Sequence, residues 1–96
     1  MQRLEILSKL RAMRPQLAQS SSVKTIAVFG SAARNELRPD SDIDIVVDFE
    51  HSPGFFAIAD LEDRLSAELG HPIDLFTPAS LHPLLRDRIL KEAVYA

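Results

Sequence analysis

VKTIAVFGSAARNELRPDSDIDIVVDF, residues 23–49, decides how the chain folds, because two apolar runs rich in β-branched residues flank one polar loop. Val23–Phe29 is short, bounded by Ser20, Ser21 and Ser22 before it and by Gly30 after it, and so predicts a buried strand. Asp42–Phe49 predicts a second strand. Between them, Gly30–Ser41 reads as a loop with a helical turn over Ala32–Arg34.

Outward from these strands the hydrophobic period changes. Leu4, Leu7, Leu10, Met13 and Leu17 recur at spacings of three and four, the pattern of a helix with one face on a core. Pro15 predicts a break: one helix to about Ala12, then a short turn from Pro15. Phe55, Ile58, Leu61, Leu65 and Leu69 form a second stripe, ended by Gly70 and Pro72. Pro72–Phe76 (PIDLF) predicts a short third strand. Ser80, as N-cap, opens a last helix to about Ala93 with Leu81, Leu84, Leu85 and Ile89 on one side. The order α, β, β, α, β, α describes an α/β fold, a small mixed β-sheet packed with helices, in a single domain over residues 1–96.

Composition narrows the function. With 96 residues, 46% hydrophobic and 26% charged, there is room for one core and none for a second domain, so any enzyme built here is expected to bind a second substrate on a shallow surface, another copy or a separate protein. The absence of cysteine removes disulfides, zinc–thiolate sites and thiol nucleophiles. No segment approaches the roughly 20 apolar residues of a membrane span. Arg3, Glu5 and Lys9 interrupt any signal-peptide core, so a cytoplasmic location is the default expectation. A net charge of −3, with eleven scattered Lys and Arg residues, argues against direct binding to a nucleic-acid backbone.

Residues two apart in a strand share a face, so Asp42 and Asp44 stand together while Ile43, Ile45, Val47 and Phe49 face the core. Paired carboxylates repel and resist desolvation, which makes them costly unless a cation neutralises them. Mg²⁺ suits them, since it takes one or two carboxylates together with waters and phosphate oxygens. Asp48 shares the face but lies about 13 Å beyond Asp44, too far to join the same ion. Asp74, inside the third strand, joins the pair if the two strands are neighbours; three carboxylates could then hold two ions, or one ion and an acceptor hydroxyl. Gly30 permits close approach of a ligand, the amides around Ser31 are free for phosphate oxygens, and Arg34 supplies a cation one turn on.

Each feature has a plainer reading: an ordinary strand-ending turn, a solvated arginine, a solvent-facing or capping Asp74. A calcium loop starting at Asp40 fails because Ile45 and His51 occupy its glycine and glutamate positions. In haloacid-dehalogenase-type phosphatases the aspartates follow the apolar run, whereas here they precede it. His51, His71 and His82 have no metal-ligand spacing, and Tyr95 reads as a terminal packing residue.

Taken together, Gly30-Ser31, ten intervening residues and Asp42-Ile43-Asp44 resemble the GS-x10-DxD signature of the DNA polymerase β-like nucleotidyltransferase superfamily. GSAARNELRPDSDIDIVVDF, PIDLFTP and LRDRILKEAVYA resemble its minimal nucleotidyltransferase branch, the antitoxins of HEPN/MNT toxin–antitoxin modules. The resemblance covers nearly the whole chain. It implies the polymerase β-like nucleotidyltransferase fold and a protein adenylyltransferase that moves AMP from ATP, with Mg²⁺, onto a hydroxyl of a HEPN-type toxin. By that resemblance Ser31 meets the triphosphate, Asp42 and Asp44 bind metal, and Asp74 is the third acid, as ligand or as general base; Gly30 and Arg34 fall in its GSxAR stretch. Relatives commonly carry glycine where this chain has Asn35, a residue that tolerates positive φ. The alternative is a non-catalytic antitoxin that binds and masks its toxin. Homo- or hetero-oligomeric assembly is compatible with either.

Overall fold

Val23–Phe29 (β1) and Ile43–Phe49 (β2) pair antiparallel at the centre of a four-stranded sheet. The computed structural model describes residues 1–96. Ile73–Phe76 (β3) runs parallel to β2 on one side, and Val94–Tyr95 (β4) runs antiparallel to β1 on the other, giving the order β3-β2-β1-β4. Helices α1 (Arg3–Ser21) and α3 (Phe55–Leu69) supply Leu10, Leu17, Leu61 and Leu65 to a core on one sheet face, against Ile26, Val28, Ile43, Ile45 and Val47. The opposite face carries a smaller core of Ala27, Phe29, Val46 and Leu81, with Ile89 and Leu90 of α4 (Arg86–Glu92) packed onto it. That second core covers only part of the face, and the acidic end of β2 remains open.

Several expectations need correction. Helix α1 runs through Pro15 without a break. Pro15 is exposed, so water can solvate the carbonyl left without its N–H partner, and Leu10 and Leu17 hold both halves of the helix to the same core. The buried face of α1 includes Ile6, while Leu4 is 70% exposed. Phe55 also points outward. The long C-terminal helix is instead a 3₁₀ turn at Pro78–Ser80, a connection containing Pro83, the short helix α4, and β4. Leu84 and Leu85 are exposed, so only Leu81 of the expected stripe is buried in the core, with Ile89 half-buried against it. The strand β4 is anchored by Ala27 opposite Tyr95, Val28 opposite Val94, and the Ala96 N–H donating to the Ile26 carbonyl at 3.0 Å.

Asn35 adopts φ +62, the left-handed conformation for which glycine is otherwise chosen. Its side chain has a second use, because Oδ1 accepts the Arg3 N–H at 2.8 Å and satisfies a free amide in the first turn of α1. Arg3 Nη1 donates to the Ala33 carbonyl at 2.9 Å, so the loop after β1 is tied to that helix.

Candidate active site

β1 ends at Phe29, and the chain turns at once into a four-residue helix, α2 (Gly30–Ala33). Gly30 has φ +65, and a Cβ there would collide with the Asp44 carboxylate. The turn is closed by Arg34 N–H donating to the Gly30 carbonyl at 3.2 Å and Glu36 N–H donating to the Ser31 carbonyl at 2.8 Å. Ser31 is half-buried at its start, and Arg34 ends it, exposed.

The sheet brings the acids together. Asp44 stands opposite Asp74 across the parallel pair β2/β3, so the two side chains leave the same face of neighbouring strands. Asp42 immediately precedes β2. Its loop is held by the Ile43 N–H donating to the Pro72 carbonyl at 2.9 Å and by His71 Nδ1, 3.3 Å from the Ser41 carbonyl. That contact requires the tautomer with the proton on Nδ1. His71 therefore links the start of β3 to the DxD segment, a structural role.

Burial pushes the Asp44 carboxyl above its ordinary value, the charges of Asp74 and Asp42 push it further, and Arg34 pulls it back. The four residues thus share one electrostatic neighbourhood. Neither ion pair in the structure, Arg34–Glu36 or Arg88–Glu92, includes the three acids, and the pull of Arg34 on Asp44 offsets only part of their mutual repulsion. Their side chains do not close into a ready-made three-ligand cluster. Hard oxygen donors on an incompletely neutralised face nevertheless fit Mg²⁺, which needs only one or two protein carboxylates. Asp48, further along β2, opens instead on a separate hollow with Phe49, Ser52, Pro53, Thr77, Pro78 and Ala79.

Beside the acids lies a cleft of about 510 Å³ lined by Gly30, Ala33, Arg34, Arg88 and Glu92. Arg88 and Glu92 escaped the sequence reading, which treated α4 as a packing helix. Their spacing of four on a predicted helix was the one available signal.

The nucleotidyltransferase domain family matches residues 8–96. The chain belongs to that family. This nucleotidyltransferase is 42% identical over 91 residues to the protein adenylyltransferase MntA of Thermococcus cleftensis, covering 95% of this chain and 92% of that one. A relative in Methanocaldococcus jannaschii, named for the same activity, is 47% identical over 72 residues, covering 75% and 77% of the two chains. The solved structure of a minimal nucleotidyltransferase superposes with a TM-score of 0.84 at 33% identity, covering 98% of this chain and 95% of that one. A toxin–antitoxin structure containing AMP-PNP shares the fold with a TM-score of 0.74 at 21% identity, covering 93% and 72%. So does the complex of an MNT antitoxin with a tri-AMPylated HEPN toxin from Shewanella oneidensis, with a TM-score of 0.66 at 22% identity, covering 99% and 71%. The minimal nucleotidyltransferase described here is accordingly an enzyme that transfers nucleotides. No helix in it is long and apolar enough to cross a membrane.

Proposed function

We propose that this nucleotidyltransferase moves AMP from ATP onto a hydroxyl of a partner HEPN-type toxin and so acts as an antitoxin. The observation that carries the reading is the register that sets Asp44 against Asp74, with Asp42 alongside and the Gly30 turn packed on the Asp44 carboxylate. The protein-adenylyltransferase names of its relatives favour a protein acceptor, as does the AMPylated toxin beside one structural neighbour.

Asp42 and Asp44, with Asp74 as third ligand, would hold Mg²⁺, which when bound would supply charge neutralisation to the phosphates and to the departing pyrophosphate. Ser31 and the turn amides around it orient the triphosphate, and Arg34 balances its charge. Asp74 is exposed and so can also meet an incoming acceptor, taking the proton of its hydroxyl as that oxygen attacks the α-phosphorus. The bond from that phosphorus to the bridging oxygen breaks, and pyrophosphate carries the electron pair away.

Mass spectrometry of the protein mixed with the toxin encoded beside it, with ATP and Mg²⁺, tests the reading. A toxin heavier by one or more AMP units supports it, with no gain when Asp42→Asn replaces the wild type or the metal is chelated. Inhibition of the toxin without any gain in mass leaves masking as the function.

A further inference from the structure

The cleft beside the acids has two walls from distant parts of the chain. Gly30, Ala33 and Arg34 come from the turn after β1, and Arg88 and Glu92 come from α4. β4 begins two residues after α4 ends and pairs with Ala27 and Val28, immediately before the Gly30 turn. Ile89 and Leu90 seat the same helix on Phe29 and Ala27, and Arg86 Nε donates to the Pro78 carbonyl at 2.8 Å. The α4 wall is therefore anchored to the strand that delivers Gly30.

Arg34 and Arg88 are the two cations of this cleft. A nucleoside triphosphate brings several negative charges to a face that already carries three carboxylates, so one arginine leaves much of that charge unbalanced. Arg34 already serves Glu36 at 3.5 Å and lies close enough to Asp44 to lower its pKa. Arg88 has only Glu92, 3.5 Å away in an exposed pair with side chains 77% and 54% accessible. Such a pair is weak, and its guanidinium can exchange that carboxylate for phosphate oxygens at little cost.

We infer that Arg88 is a nucleotide-binding residue that grips the polyphosphate tail from the α4 wall, with Glu92 as the counter-charge it leaves when nucleotide arrives. The inference rests on the nucleotide-transfer reading and adds a residue from the C-terminal helix to that site.

Calorimetric titration with ATP and with AMP separates the two. Arg88→Ala should weaken ATP binding about tenfold or more while changing AMP affinity far less, because AMP lacks the tail. Arg88→Lys, which keeps the charge and the packing stem, should recover part of the loss. Glu92→Gln should bind ATP as tightly as the wild type or tighter. Unchanged ATP affinity in Arg88→Ala with an unchanged melting temperature overturns the inference and leaves the transferase reading standing. Equal losses for ATP and AMP, or an Arg88→Lys variant no better than Arg88→Ala, also overturn it. A wild type that binds no nucleoside triphosphate removes the transferase reading, and this inference with it.

Discussion

The carboxylate of Asp44 fills the space that a side chain at residue 30 would need, so Gly30 and Asp44 pack as bare backbone against acid. Two costs follow for Gly30→Ala. The φ of +65 is worth about 1 kcal/mol or more against an L side chain, and the methyl must displace the carboxylate. Transfer activity should be lost, and denaturant titration should show a destabilised protein. Adding Asp44→Ala should relieve the clash and leave the φ cost, a coupling of about 1 kcal/mol in a double-mutant cycle. Strict additivity of the two changes would contradict the packing.

Asp44 also sets an expectation for pH. Its native pKa is raised above the ordinary 3.8, so the folded chain binds this proton more tightly than the unfolded chain does. The stability it contributes is present in full below 3.8 and is lost as pH rises through the raised native value. Asp42→Asn combined with Asp44→Asn should abolish metal-dependent transfer. In chelator at neutral pH, the same variant should melt at the wild-type temperature or higher and should lack that pH dependence. Parallel melting-temperature curves against pH for the two proteins would count against the account.

Ser31 and Arg34 should separate orientation from charge. Arg34→Ala should weaken ATP binding about tenfold, while its exposed ion pair with Glu36 predicts a stability change within about 0.5 kcal/mol. Ser31→Ala should lower the transfer rate more than it lowers affinity. Calorimetry and single-turnover assays measure the two effects, and an Arg34→Ala variant with wild-type affinity would return that residue to a purely surface role.

Asn35 carries both a left-handed φ and a hydrogen bond to the first turn of α1. Asn35→Ala loses both and should cost about 1–2 kcal/mol by denaturant titration. Asn35→Gly keeps the conformation, loses the bond, and should cost less. Equal losses for the two would mean that the hydrogen bond alone matters.

The sequence by itself determined the features that depend on local geometry. Alternation in DIDIVVDF put Ile43, Ile45 and Val47 in the core and left Asp42 and Asp44 on the other side, because side chains alternate along any strand. Gly30-Ser31 after an apolar run marked the turn, and a residue tolerant of positive φ stood at Asn35. Pairing between segments distant in the chain was not legible in this way. Asp74 faces Asp44 only because β3 lies beside β2 in that register, and no local pattern specifies which strands become neighbours. Pro15 looked like a break because the local rule counts the lost hydrogen bond; packing of Leu10 and Leu17 on one core overrode it. β4 is two residues long, too short for any hydrophobic period, and exists because β1 offers it a free edge. By anchoring α4, that strand puts Arg88 and Glu92 on the cleft beside Gly30, a placement that only the tertiary structure could decide.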